Sequence, residues 1–161
     1  MTTATDRGFT LTRTLNAPRA AVWRAWTDPA ELAWFLNPES PAPAEPISVD
    51  LRVGGAFRVH MIVSDELDYM TGGIYREIVP IERLVFEWGA VDGWPRLDPA
   101  NPDDAPLTTL TFTELGPRST EFALTVSFPD SMSRALADEW LTTGMRDGWG
   151  MTIDRLVDQL A

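Results

Sequence analysis

Residues 141–160 read LTTGMRDGWGMTIDRLVDQL, and their periodicity decides the architecture of the chain. Leu141, Met145, Trp149, Ile153, Leu156 and Leu160 share one face, an arc of roughly 120° at 3.6 residues per turn. Asp147, Asp154, Arg155 and Asp158 fall on the far side. The stretch therefore reads as an amphipathic helix that needs a second layer on which to bury its apolar stripe. Thr142 and Thr152 interrupt the stripe, and Gly144 and Gly148 line one flank at i, i+4. A glycine costs a helix roughly 1 kcal/mol relative to alanine, so the pair calls for close backbone approach to a strand or for ligand space. Asp130, Ser131 or Ser133 would cap the start of this last helical segment.

The partner layer is a run of strands. Phe9 to Leu15 alternates apolar and polar residues, as a half-buried strand does. Asn16-Ala17-Pro18 stops it and starts a helix, with Asn16 or Ala17 near the N-cap and Val22, Trp23 and Trp26 facing inward or along the helix edge. Asp28-Pro29 caps a second short helix leading to Leu32, Trp34 and Phe35. Asn37 to Pro46 carries four prolines and reads as a loop. Ile47 to Leu51, Phe57 to Val63, Tyr69 to Val79, Leu84 to Trp88, Leu107 to Leu115 and Ser119 to Phe128 follow as strands. Gly54-Gly55 turns one hairpin, and Gly116-Pro117 another. Gly72-Gly73 reads as a bulge or sharp bend. Gly89 to Pro106 is the longest irregular stretch, a length that favours a functional lid or disorder. Segregated strands and helices make the class α+β, and 161 residues make one domain, 1–161, with its core over about 9–160.

Composition narrows the function. The net charge is −11, from 24 acidic residues against 13 basic ones, all arginine. That balance disfavours nucleic acid and anionic membrane as partners. No apolar run approaches the ~18 residues of a membrane span. The polar start, Met1 to Gly8, lacks a signal-peptide pattern, so the expected location is cytoplasmic. There is no cysteine and one histidine. Disulfides, thiol nucleophiles and zinc–thiolate sites are excluded, and no metal or other cofactor is expected. The seven tryptophans suit either the walls of a pocket or a Trp-rich core.

Several segments together resemble a known family. They are Asp50-Leu51-Arg52-Val53-Gly54-Gly55, Gly73-Ile74-Tyr75-Arg76-Glu77-Ile78-Val79-Pro80, Glu82-Arg83-Leu84-Val85-Phe86-Glu87-Trp88 and Leu110-Thr111-Phe112-Thr113-Glu114-Leu115. Gly148-Trp149 and Ile153-Asp154-Arg155-Leu156 close the series. In this order they resemble the START-like (SRPBCC) superfamily, in the branch named for the activator of Hsp90 ATPase homologue 1. The resemblance runs from about Phe9 to Leu160. It implies a helix-grip (START/Bet v 1-like) fold, a curved antiparallel sheet wrapped around the long C-terminal helix, with two short helices after the first strand. The superfamily includes lipid carriers, polyketide cyclases, hormone receptors and co-chaperones, and a stress-related role is ascribed to many bacterial-type members by similarity.

Within that frame, Trp34, Phe35, Phe57, Met61, Tyr75, Phe86, Trp88, Met145, Trp149 and Thr152 are expected to converge between sheet and helix. A mostly apolar space with a few polar groups is the composition of a small-molecule site. A solid core could use the same residues. The leading reading is a non-enzymatic binder of a small hydrophobic or aromatic molecule, with the 89–106 loop and the Trp34-Phe35 helix at its mouth. The alternatives are a polyketide cyclase-like enzyme and an Hsp90-type interaction module; a homodimer stays open. No catalytic residue is assigned; Tyr75 and Glu77 are the weak candidates, since strand parity with Gly73 could bring both toward the cavity, but a solvated or arginine-paired Glu77 is the favoured reading. Alternation sets His60 on the outer face, away from Phe57, Val59 and Met61, which removes a Ser-His-Asp arrangement.

Overall fold

A computed structural model describes residues 8–35, 47–62, 66–89, 106–128, 135 and 145–160. Its strands are β1 (Gly8–Leu15), β2 (Ser48–Val49), β3 (Ala56–Ile62), β4 (Asp68–Val79), β5 (Arg83–Trp88), β6 (Leu107–Gly116) and β7 (Ser119–Ser127). All pair antiparallel in one curved sheet, in the order β1-β7-β6-β5-β4-β3-β2. The helices α1 (Arg19–Thr27) and α2 (Met145–Gln159) and two 3-10 turns, Pro29–Glu31 and Ala33–Phe35, complete it. The α+β class and the sheet-around-helix arrangement are those expected from the sequence.

Period-two alternation puts the core on one face of the sheet. Phe9, Leu11 and Leu15 of β1, Leu110 and Phe112 of β6, and Phe122, Leu124 and Val126 of β7 are all buried. The apolar stripe of α2 closes over that face with Met145, Trp149, Ile153 and Leu156. Asp154 pins α2 to the first strand by accepting from Arg13 Nε at 3.0 Å.

Local chemistry departs from expectation in instructive places. Pro18 itself is the N-cap of α1, with extended backbone and no side-chain cap hydrogen bond. Asp28 does cap the next turn, its Oδ1 accepting from the Ala30 amide at 2.9 Å. What reads as one second helix is two 3-10 turns. The strand beginning at Ile47 is only two residues long. The Gly72-Gly73 pair is not the bulge: β3 and β4 pair in unbroken register across it, and the shift against β5 falls between Tyr75 and Glu77. Both glycines serve close approach instead, beneath the Phe57 carbonyl at Gly72 and beneath the Phe57 and Phe86 rings at Gly73. Expected positions in 36–46, 63–65, 90–105, 129–134 and 136–144, including Leu141, Gly144 and the cap candidates Asp130, Ser131 and Ser133, lie outside the described residues.

Gly148 has neither of the roles its spacing suggested. It is exposed, and a Cβ added there meets nothing within 4 Å. Gly148→Ala should therefore stabilise the protein by about 0.5–1 kcal/mol, read as a raised denaturation midpoint with unchanged slope. A destabilised variant would mean that this position is crowded in solution. Arg155 also departs from the helix projection. It is partly buried and donates from Nε to the Trp34 carbonyl (3.0 Å) and from Nη2 to the Phe35 carbonyl (2.8 Å). Its long side chain ties the second 3-10 turn to α2 instead of pointing to solvent. Among the described residues, no helix is long and apolar enough to cross a membrane.

Candidate ligand-binding site

The sheet register sets the inner wall in ranks. One rank runs Phe57, Gly73, Trp88 across β3, β4 and β5. The next runs Tyr75, Phe86, Thr108, Val126, Phe9 across five strands. A third runs Ile78, Leu84, Leu110, Leu124, Leu11 and is wholly apolar. Polar side chains on this wall include Tyr75, Trp88 and Thr108 on the first two ranks, Thr71 beside them, and Arg13 and Thr120 at the other end. The β2–β3 turn fixes Tyr75 through two backbone hydrogen bonds, Gly54 N to Tyr75 O (2.8 Å) and Tyr75 N to Gly55 O (2.9 Å).

Two aromatic groups face each other across this wall. Phe57, Tyr75 and Phe86 form one, with Phe57 edge-on to Phe86 at 4.9 Å between centroids. Trp26, Trp34, Phe35, Trp88 and Trp149 form the other, with Trp149 5.0 Å from Trp88 and 5.8 Å from Phe35. Trp34 Nε1 donates to the Ala25 carbonyl (2.8 Å) and Trp88 Nε1 to Thr71 Oγ1 (3.3 Å). Thr120 and Thr152 are likewise satisfied, donating to the carbonyls of Ala17 and Gly148. Four other interior atoms, Trp26 Nε1, Trp149 Nε1, Tyr75 Oη and Thr108 Oγ1, are buried without a hydrogen-bond partner among the described residues. Each such group costs about 1–3 kcal/mol, and the two on the sheet, the one on α1 and the one on α2 require an explanation.

Nine of the ten residues expected at the site are buried: Trp34, Phe35, Phe57, Tyr75, Phe86, Trp88, Met145, Trp149 and Thr152. Met61 is partly buried at the rim. Glu77 is the correction. The bulge at Arg76 reverses parity, so Glu77 pairs with Val85 on the outer face and forms an ion pair with Arg83. Tyr75 and Glu77 therefore lie on opposite faces of the sheet and cannot act on one substrate. Glu87, the one buried carboxylate among the described residues, is also on the outer face, paired with Arg76. His60 lies on that face as expected, its Nε2 2.6 Å from Asp68 Oδ2. Trp26 and Thr108 were not singled out from sequence, though the parity of Thr108 with Leu110 and Phe112 marks it as inward. A separate open groove of about 430 Å³ lies between α1 and the β4–β5 turn. Arg19, Glu82, Arg83 and Glu114 make it strongly polar, and Phe112 is the one core aromatic that lines it.

The sequence profile of the activator of Hsp90 ATPase homolog 1-like proteins matches residues 16–161. The chain belongs to this family. Solved structures agree on the fold. Protein Ms6760 of Mycobacterium smegmatis superposes with a TM-score of 0.75 at 21% identity, over 97% of this chain and 91% of that one. A Rhizobium leguminosarum protein gives 0.65 at 27% identity, over 95% and 93%. An Hsp90 activator from Plasmodium falciparum gives 0.55 at 19% identity, over 86% of each chain. No curated protein matches the sequence.

In this member of the activator-homolog family, the interior offers hydrogen-bond donors, and among the described residues no charged side chain on the inner face is fully buried. Burial, reinforced by the Asp50 carboxylate, pushes the Tyr75 hydroxyl far above the usual tyrosine value of 10.0. Burial also raises Tyr69, against the opposing pull of Arg155. These are the only two tyrosines in the chain. Because the folded values are raised, their contribution to stability is complete below pH 10.0 and is lost as pH climbs beyond it. An alkaline absorbance titration should therefore show little phenolate at pH 10.0 and a cooperative rise only with loss of the fold. Simple titration near pH 10.0 in a protein that stays folded would contradict the burial of Tyr75.

Proposed function

We propose that this protein binds a small aromatic or otherwise hydrophobic molecule bearing oxygen acceptors, between the inner face of the sheet and α2, without transforming it. The observation that carries this reading is the set of four buried, unpartnered groups on aromatic walls. Indole N–H groups only donate, and hydroxyls can donate, so carbonyl, ether or phenolic oxygens are the complementary chemistry. A binding role is favoured over catalysis because the bulge turns Glu77 to the outer face, where it pairs with Arg83 and not with Tyr75. A polyketide cyclase-like activity would have to proceed without that pair.

Tryptophan fluorescence provides the test, since Trp149 packs against both Trp26 and Trp88 between the sheet and α2. Flavone, dihydroxyanthraquinone and dodecanoic acid are suitable titrants. Saturable quenching with a matching rise in Tm is expected for at least one of them. Neither response from any of the three would remove the binder reading.

A further inference from the structure

Arg155 sits where the second 3-10 turn, α2 and the start of β4 meet. Its Nε and Nη2 are committed to the carbonyls of Trp34 and Phe35, with Thr152 Oγ1 a longer contact at 3.4 Å. A guanidinium has five N–H donors in a planar fork, so both donors of Nη1 remain after these three. Tyr69, opposite Met61 in the register and on the same face as Thr71 and Gly73, interacts with this guanidinium electrostatically. Arg155 therefore lies at the rim of the aromatic space, beside Trp34 and Phe35.

Among the described residues, its charge has no carboxylate beside it. Arg13, Arg24, Arg52, Arg76 and Arg83 each have a carboxylate partner; Arg19, Arg58, Arg118, Arg146 and Arg155 have none among the described residues, and Arg155 is partly buried. This occurs in a chain with 24 acidic side chains against 13 arginines. The neighbouring Asp154 is directed to Arg13 instead. Tethering the turn needs hydrogen-bond donors, which a neutral side chain could provide without the cost of a partly buried, uncompensated charge. The two N–H groups of Nη1, which have no acceptor among the described residues, can still donate to a carboxylate oxygen.

We propose that the ligand is an amphipathic carboxylic acid whose carboxylate docks on Arg155 while its apolar body enters the space between sheet and α2. This deepens the binding role proposed above and rests on it. It makes Arg155 a specificity-determining residue as well as a tether.

Matched pairs provide the test: naphthoic acid against methyl naphthoate, and dodecanoic acid against methyl dodecanoate, titrated by tryptophan fluorescence at neutral pH. The wild-type protein should prefer each acid by about tenfold or more, the scale of a hydrogen bond to a charged group. Arg155→Met should bring the ratio near one while the esters bind as before. Because Arg155→Met also loosens the turn, Arg155→Lys serves as a second variant, retaining charge and part of the acid preference. Equal or tighter binding of the esters to the wild type overturns the carboxylate proposal and leaves the binder reading intact. A preference that survives Arg155→Met places the anion elsewhere and also overturns it. Binding of neither member of either pair overturns the carboxylate proposal, and the flavone and dihydroxyanthraquinone titrations then decide the binder reading.

Discussion

Gly72→Ala should cost about 3 kcal/mol or more of folding stability and lower Tm by roughly 6–12 °C, at the few degrees per kcal/mol usual for a domain of this size. Two effects add at this position. The backbone φ is +154°, a conformation that side chains with a Cβ rarely adopt. A Cβ here would also overlap the Phe57 carbonyl oxygen on the paired strand. That obstacle is backbone, so relief requires separating β3 from β4 and not merely turning a rotamer. Strain and overpacking each cost about 1–3 kcal/mol, a large share of the 5–15 kcal/mol that holds a domain together. The Gly72 carbonyl also accepts from the Gly89 amide at 2.8 Å, so the damage should spread to the end of β5 beside Trp88. Gly116→Ala is the control, because no atom lies within 4 Å of the added Cβ. Denaturant midpoints for the two variants decide the matter. A loss below about 1 kcal/mol at Gly72 would show that the strands separate cheaply and that the glycine is not required for packing.

The same residues show how much a single sequence reveals. Alternation placed Phe122, Leu124 and Val126 on the core side, and the helical stripe placed Met145, Trp149, Ile153 and Leu156, because burial of a regular element follows its own period. Irregularities were harder to locate. Gly72-Gly73 drew attention to a bulge that occurs at Arg76, where nothing in the residue type marks it. That single extra residue reverses every later side chain of β4, which removes the parity argument for an inward Glu77 and leaves the arginine-paired reading, here with Arg83. Arg155 escaped a helical projection because its guanidinium reaches the Trp34-Phe35 turn, about 120 residues earlier in the chain. Contacts of that kind depend on side-chain length and tertiary approach, which periodicity does not encode. Composition identified the aromatic character of the site. Which polar atoms lack partners required the register of five strands.

Tyr75→Phe should move two measurements in opposite directions, which is what separates a ligand-directed hydroxyl from a structural one. In the unliganded protein Tyr75 is fully buried and its Oη has no partner. Removing an unsatisfied hydroxyl while keeping the ring leaves the contacts with Phe57 and Phe86 in place. The free variant should therefore be as stable as the wild type or more stable by about 1 kcal/mol. The complex pays the reverse. A ligand oxygen that accepts from Oη loses its donor inside a dry, apolar wall, at a cost of about 1–3 kcal/mol, which corresponds to roughly a 10- to 100-fold weaker affinity. Thermal unfolding of the free proteins and fluorescence titration with the tightest ligand of the panel supply the two numbers. A hydroxyl bonded to an ordered water would give a different pair: a less stable free protein with little change in affinity. That result would turn Tyr75 into a core residue and leave Thr108, Trp26 and Trp149 to orient the ligand. The expected pair instead ties recognition to the rank formed by Tyr75, Phe86 and Thr108, where two hydroxyl-bearing side chains flank one aromatic ring on the inner face of the sheet.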